Sequence, residues 1–282
     1  MRRSWPLLGR EVLNTMAPAF KKYITLALCS MQNTLAYRLS FILNFLSGFI
    51  GLIAMYFLWQ AVYIGRDQLS GFTWEQMQAY LLVTFFVNSM LSYYSESSIT
   101  NKIIDGSVMM DLLRPIQFQK ARLAETLGSC VLEGLLSCIL IGLAAIFTFG
   151  ITLPHDVWTL TLFALSLLSS ILLKFCIVYL SALLCFWTTS GFGIYWARVS
   201  ITNLLSGALV PLAFFPGWLQ SFAMVLPFQG IVNTPVMIGL GMRGSFEALE
   251  LIAIQLGWIV LLWLLGKMLW SRAIRQITIH GG

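Results

Sequence analysis

Charged side chains are scarce in this sequence. Asp, Glu, Lys and Arg make up 10% of the 282 residues, whereas 59% are hydrophobic. Soluble domains carry about 25% charged residues, so this chain has too few charges to cover a surface in water. The composition excludes an ordinary soluble protein and predicts an integral membrane protein surrounded by lipid.

Catalytic and metal-binding motifs are also missing. The five cysteines have no metal-type spacing, and neither histidine belongs to a cluster of potential ligands in the sequence. No Gly-x-x-x-x-Gly-Lys-Ser/Thr phosphate loop occurs, so the chain is not expected to hydrolyse ATP itself. We predict that it is not an enzyme and that it has no catalytic residues, metal or cofactor of its own.

Long apolar stretches dominate what remains. Since about 20 apolar residues cross a bilayer as a helix, they predict an all-α polytopic membrane protein with six transmembrane helices. The predicted transmembrane domain covers residues 41–275, and residues 276–282 form a tail. The six predicted spans lie at about 41–63, 77–94, 124–150, 157–187, 192–213 and 250–270.

The N-terminal segment, residues 1–40, mixes apolar residues with six basic ones. Between Phe20 and Leu39 the apolar positions recur at helical spacing, which predicts an amphipathic helix over about 20–38. A helix with a basic polar face lies in the plane of the membrane interface rather than across the membrane. A disordered basic tail is the alternative.

Basic residues fall mainly on one side of the predicted spans. The N-terminal segment, the loop at 95–122, the turn at 188–198 and the C-terminus contain most of the 17 Lys and Arg residues. Because basic residues mark cytoplasmic loops, both termini are predicted to be cytoplasmic. The net charge of +6 then reflects membrane topology, and we predict no nucleic-acid binding.

The most charged internal part of the chain lies at about 96–115, on the predicted cytoplasmic side. This stretch contains too many apolar residues for a free loop. Its mixture of apolar and charged residues predicts a short amphipathic helix lying flat against the bundle. Gly106 can separate two helical pieces, and Pro115 can end the second. On physical grounds alone, the alternative interpretation is an interfacial segment that binds no partner.

Residues 206–240 are apolar but repeatedly interrupted. Four of the eight prolines fall here: Pro211, Pro216, Pro227 and Pro235. Each proline removes a backbone donor and obstructs a helix, so a continuous span is not expected. Broken helices at membrane depth are tolerated only where they pack against protein or line a water-filled cavity, which predicts an external re-entrant helix pair.

Two charged residues, Glu133 and Lys174, lie inside predicted spans. A charge at mid-bilayer is costly unless it is paired or hydrated. Two interpretations are open: the residues line a translocation path, or they form a structural ion pair between the third and fourth spans.

The pattern Ile-Ile-Asp-Gly at 103–106 followed by Leu-Leu-Arg-Pro at 112–115 resembles the ABC-2 type permeases, in particular the multidrug or daunorubicin-resistance-like exporters. The Ser-Gly and proline pattern of residues 206–228 is similar to the same branch. The two blocks are separated by the number of spans typical of that branch, and the resemblance covers essentially the whole chain.

The resemblance implies the permease subunit of an exporter that moves an amphipathic drug-like or lipid-like compound out of the cytoplasm. ATP and Mg would be bound by a separate ABC ATPase subunit. The stretch at 96–115 would be the coupling helix that docks on this ATPase, and the N-terminal helix would be the connecting helix. The residues implied in coupling are Ile103, Asp105, Gly106, Leu113, Arg114 and Pro115.

The resemblance also implies an assembly in the cell membrane, that is, the plasma or inner membrane. Two permease halves, a paralogous pair rather than two copies, would work with two ATPases among membrane lipids. Pro211, Pro216 and Pro227 would belong to the external gate. The alternatives from other classes are a membrane-embedded lipid-modifying enzyme, which needs clustered polar catalytic residues, and a passive channel, which needs no ATPase.

Overall fold

The computed structural model describes residues 18–36, 38–90, 94–113, 116–148, 156–188 and 191–280. In chain order these ranges form α1 (Pro18–Ala36), α2 (Arg38–Tyr63), β1 (Gln68–Leu69), β2 (Phe72–Thr73), α3 (Trp74–Met90), α4 (Tyr94–Ile104), α5 (Val108–Leu112), α6 (Phe118–Thr148), α7 (Val157–Leu183), α8 (Gly191–Leu205), α9 (Gly217–Val225), α10 (Asn233–Gly239) and α11 (Ser245–His280). Short 3₁₀ turns lie at Leu184–Phe186, Leu212–Phe214 and Pro227–Gly230.

Three helices of the described residues are long and apolar enough to cross a membrane. Their apolar windows are Leu46–Tyr63 in α2, Val157–Phe186 along α7, and Ser245–Arg275 in α11. They match the first, fourth and sixth predicted spans. The predicted all-α polytopic membrane protein is confirmed, while the total of six spans stays a prediction.

Helix α7 lies at the centre of the bundle. Leu173, Phe175 and Tyr179 are almost completely buried on it, and α8, α10 and α11 pack around them. By contrast, α2 packs mainly on α3 and exposes many leucine and isoleucine side chains. Burial therefore distinguishes a central helix from a peripheral one whose outer face suits lipid or another membrane helix.

The fifth predicted span, 192–213, differs from the helix that forms. Helix α8 ends at Leu205, because the next two residues turn the chain. Gly207 has a φ of +82°, a left-handed conformation that glycine adopts readily, and the Ser206 hydroxyl accepts the Ala208 N–H. The chain then continues as short helical pieces up to Gly239.

A small β-hairpin follows α2 and was not predicted from the sequence. Strands β1 and β2 pair antiparallel around Ser70 and Gly71, both of which have positive φ. This is the geometry of a two-residue hairpin turn. The Tyr63 hydroxyl donates to the Phe72 carbonyl at 3.0 Å and fixes the hairpin to the end of α2.

Candidate functional site

The turn between α4 and α5 contains the charged motif that stands out in the sequence. Gly106 has a φ of +74° and allows the chain to leave α4. The Ser107 N–H donates to Asp105 Oδ1 at 2.9 Å. Because this bond stabilises the ionised carboxylate, the pKa of Asp105 is held below its usual value. The turn is thus a defined structure with an exposed, negatively charged side chain.

The inner side of this turn is anchored in the core. Ile103 and Val108 are buried in the same apolar cluster as Ile99 and Phe118. Ile103, which the family resemblance implied in coupling, therefore lies against the bundle and holds the turn in place. Its side chain does not form part of the outer surface.

Asp111 connects three helices through its carboxylate. Its Oδ2 lies 3.3 Å from Lys102 Nζ on α4 and 3.2 Å from an Arg122 guanidinium nitrogen on α6. Arg122, at 1% exposed, also lies 2.6 Å from Glu125 and stacks over the Phe118 ring. These mostly buried charges fix α5 to the first turns of α6.

The outer side of the turn is an exposed apolar surface, which we call the docking patch. Leu113 is 80% exposed and Met110 is 64% exposed. The full patch consists of Ile104, Met109, Met110, Leu112 and Leu113. Arg114 and Pro115 lie outside the described residues. An apolar surface held rigidly from below and flanked by the exposed Asp105 is suited to binding another protein.

Helix α1 lies close to this site because it packs along α6. The Gln117 N–H, just before α6, donates to the Tyr23 hydroxyl at 3.4 Å. Further along, the Ser30 and Ser129 hydroxyls are hydrogen-bonded at 2.6 Å inside the contact. Gly128 lies directly against the Ala27 backbone, so the two helices are in close contact.

The face that α1 uses for this contact is formed by small and hydroxylated residues. The periodicity of large apolar residues predicted an interfacial helix and did not predict which residues contact the bundle. In the structure Ser30 and Thr34 are buried, whereas Leu35 is 54% exposed. Helices that pack closely in membranes use small and hydroxylated residues, so the Ser and Thr positions were the available sequence signal.

The three prolines of the predicted gate each precede a short helical piece. Pro211 leads into the turn Leu212–Phe214, Pro216 into α9, and Pro227 begins the turn Pro227–Gly230. Proline at the first position of a helix costs little stability, because the first backbone N–H groups of a helix have no intrahelical acceptor. We call residues 206–239 the broken segment.

Buried hydrogen bonds hold the broken segment inside the bundle. The Tyr80 hydroxyl of α3 donates to the Gly207 carbonyl at 2.7 Å. Gln255 of α11 donates to the Gly230 carbonyl at 2.7 Å, and the Ser170 hydroxyl of α7 donates to the same oxygen at 2.8 Å. These contacts satisfy the backbone carbonyl groups that the breaks leave without helical partners. Neither Gln255 nor Ser170 was predicted from the sequence, although both are polar residues within apolar spans.

The two charged residues of the predicted spans occupy different surroundings. Glu133 is buried on α6, at 7% exposed. Lys174 is half-buried on α7 and lines a polar cavity together with Arg198. The predicted turn at 188–198 and the predicted span at 192–213 overlap at Arg198, and the structure agrees with the span here, since Arg198 lies within α8 and is 8% exposed. Arg198 was placed in the turn only because it is charged. In the structure its guanidinium stacks on the ring of Tyr195, one helical turn earlier in α8.

One family model matches most of the chain. It covers residues 49–281 and is described as "ABC-2 family transporter protein". The match includes the docking patch, the broken segment and the polar cavity. No curated protein matches the chain.

Proposed function

The chain belongs to the ABC-2 transporter family and is the membrane subunit of an ABC transport system, and on this premise we propose that it is the permease of an exporter. In this proposal it moves an amphipathic drug-like or lipid-like compound out of the cytoplasm. A separate ABC ATPase binds ATP and Mg and supplies the energy. The protein then lies in the inner cell membrane with both termini in the cytoplasm.

The docking patch is the observation that carries this proposal. An energy source on another chain has to act through a protein contact, and the patch offers an exposed apolar surface of five residues. Leu113 and Met110 provide the area, and Asp105 provides a charge at its edge. Apolar anchors with a polar rim are typical of protein interfaces.

The buried charges beneath the patch provide a path for force. A push on α5 moves Asp111, and Asp111 is bound to Arg122 on α6. Because α6 also holds α1 through Ser129 and Ser30, the two helices should move together. In this proposal, closure of the ATPase subunits tilts α6 and α1 and opens the export path.

The broken segment is proposed as the external gate. It packs at the hairpin end of the bundle, where Phe214 lies 4.8 Å from Trp59 and 6.0 Å from Phe72 between ring centroids. Its Gly230 carbonyl reaches Ser170, at the middle of α7. A segment that starts at one end of the bundle and returns from its middle fits a re-entrant hairpin better than a complete span.

A second permease half is part of the proposal. Among the described residues, helix α2 packs mainly on α3, and its exposed side chains form an apolar outer face that includes Ile42, Leu43, Leu46, Ile50, Ile53, Phe57 and Leu58. This face is available to lipid or to the other half. We favour a paralogous partner over a second copy on the basis of the family branch that the sequence resembles.

Reversal of one charge tests the coupling role. Asp105→Arg should leave the protein inserted in the membrane, because the Asp105 side chain is exposed. With the ABC ATPase that copurifies with the chain, proteoliposomes of this variant should hydrolyse ATP without export. Asp67→Arg, at an exposed aspartate beside the β-hairpin, is the matched control and should export normally.

Equal export by both variants would refute the coupling role of the turn. The same preparation separates the other function classes. A passive channel would release the compound without ATP, and a lipid-modifying enzyme would convert lipid to a new product without any ATPase present.

A further inference from the structure

Helix α11 has one exposed apolar face along most of its length. Its exposed large apolar residues run from Leu249 to Met268 and include Val260, Leu261 and Leu264. This stretch has about 20 residues, or about 30 Å of helix, which matches the hydrocarbon thickness of a bilayer. The face is therefore suited to contact with the acyl chains of lipids.

The same face becomes basic where its apolar residues end. Lys267 lies one helical turn after Leu264, and Arg272 lies one turn after Met268. Because residues three or four positions apart are neighbours on a helix surface, both basic residues continue the apolar face. Helix α11 is 36 residues long, about 54 Å, so it extends beyond the hydrocarbon. Lys267 and Arg272 then fall at the level of the lipid headgroups.

These two basic side chains are available to a ligand. Lys267 and Arg272 are exposed, and neither side chain has an ion pair or hydrogen bond among the described residues. Arg275 is exposed on the same face and already interacts within the protein. The nearest acidic residue of α11 is Glu250, about 25 Å before Lys267 along the helix.

Helix α6 adds a further basic residue at this end of α11. The two helices are in contact here, because the rings of Phe118 and Trp270 stack with their centroids 4.3 Å apart. Lys120, in the first turn of α6, is exposed. The first acidic residue of α6, Glu125, is bound to Arg122. The described residues at this end of α11 therefore carry an excess of positive charge.

We propose that this face of α11 binds an anionic phospholipid. Its acyl chains lie along the apolar residues before Met268, and its headgroup lies at Lys267 and Arg272. Basic residues at the membrane surface attract anionic lipids, and each strengthens such binding about fivefold. A zwitterionic lipid has no net charge and lacks this attraction. The site requires only a membrane-embedded chain and is independent of the proposed export function.

Lipid retention by the tagged full-length permease in micelles of a neutral detergent tests this site. The micelles contain radiolabelled dioleoylphosphatidylglycerol or dioleoylphosphatidylcholine, and the retained label is measured against the mole fraction of lipid. We expect the wild type to bind phosphatidylglycerol at least about fivefold more tightly than phosphatidylcholine. Lys267→Gln and Arg272→Gln should each weaken phosphatidylglycerol binding about fivefold and leave phosphatidylcholine binding unchanged. Raised salt should reduce the preference, because it screens exposed charges.

Two double variants are the controls. Arg66→Gln combined with Arg243→Gln removes two exposed basic residues at the opposite end of the bundle. This variant should bind phosphatidylglycerol within about twofold of the wild type. Lys267→Arg combined with Arg272→Lys keeps both charges and should retain the preference.

Equal binding of the two lipids by the wild type would overturn the proposal. So would unchanged phosphatidylglycerol binding when Lys267→Gln and Arg272→Gln are combined, and loss of the ATPase from that variant would then assign the surface to the ATPase. An equal loss in the control at Arg66 and Arg243 would show a response to net charge alone and reject the site. Displacement of the lipid by inorganic phosphate would identify a free-anion site instead.

Discussion

At the scale of single residues, Asp111 is a buried charge that connects three helices of the docking region. Its carboxylate is 6% exposed and contacts both Lys102 and Arg122. Breaking a buried ion pair by removing one partner costs about 3–5 kcal/mol, because the other charge stays buried. Arg122 keeps Glu125 as a second partner, so the cost here should fall near the lower end of that range.

We therefore predict that Asp111→Asn lowers the thermal stability of the detergent-purified protein. Glu247→Gln is the matched control, because it breaks the pair with Arg243 at an exposed site, and such pairs contribute about 0–1 kcal/mol. Thermal unfolding followed by near-ultraviolet circular dichroism measures both. Equal midpoints for the two variants would show that the Asp111 contacts do not hold α5.

Gly106 allows a test of the turn alone. A Cβ at this position would meet no atom within 4 Å, so Gly106→Ala adds only the cost of a left-handed backbone, about 1–2 kcal/mol. Gly51→Ala is the control, since Gly51 is helical and also faces open space, and it should be neutral or slightly stabilising. The same unfolding assay compares them, and a stability loss shared by both would argue against the turn geometry.

Residue-scale predictions from sequence succeeded where local chemistry decides the structure. Gly106 was expected to separate two helical pieces, and it does so with a positive φ. The Asp111–Arg122 pair was not predicted, because it depends on how α5 packs against α6. The position of Arg198, where two predictions overlapped, also depends on packing: its charge suggests a loop, whereas stacking on Tyr195 and a polar cavity accommodate it inside a helix.

At the scale of elements, the contact of α1 with α6 depends on the absence of a side chain at Gly128. A Cβ there would overlap the Ala27 backbone, which cannot move without separating the helices. We predict that Gly128→Leu releases α1, so that the backbone around Lys21 and Lys22, whose side chains are already at least partly exposed, can unfold locally and enter a protease site. Limited trypsin digestion should then cut after these lysines several times faster than in the wild type.

Gly134→Ala is the control for this prediction. It lies on the same helix, but its Cβ would meet only the Met90 side chain, which is flexible and can shift. Its digestion should match that of the wild type. Unchanged cleavage in Gly128→Leu would mean that α1 is not held by this contact.

The sequence predicted most elements but not always their contacts. Apolar runs identified α2, α7 and α11, and the prolines identified the broken segment. Periodicity located α1 within a few residues, but it did not predict which residues contact α6. The Ser30–Ser129 hydrogen bond explains why: tight helix contacts select small residues, and a pattern based on hydrophobicity does not detect them.

At the scale of the whole molecule, the two candidate working parts lie far apart. The docking patch packs beside the C-terminal end of α7, where Gly191 lies against Ile104. The broken segment enters from the other end and reaches Ser170 at mid-helix. Helix α7 has 27 residues and is about 40 Å long, so a signal between them must pass through packed helices. Helices α6 and α11 both pack against α7 and are the elements through which we expect such a signal to pass.

The central claim, that an ABC ATPase acts on this chain through the docking patch, is tested most directly by Leu113→Glu. Leu113 is 80% exposed, so the substitution should leave the fold intact while placing a charge at the centre of an apolar interface. Val157→Glu is the control, at a residue 76% exposed at the opposite end of α7. The measurement is the amount of ATPase that copurifies with the tagged permease. We predict that Leu113→Glu loses the ATPase and that Val157→Glu retains it. Full retention of the ATPase by Leu113→Glu would contradict the claim.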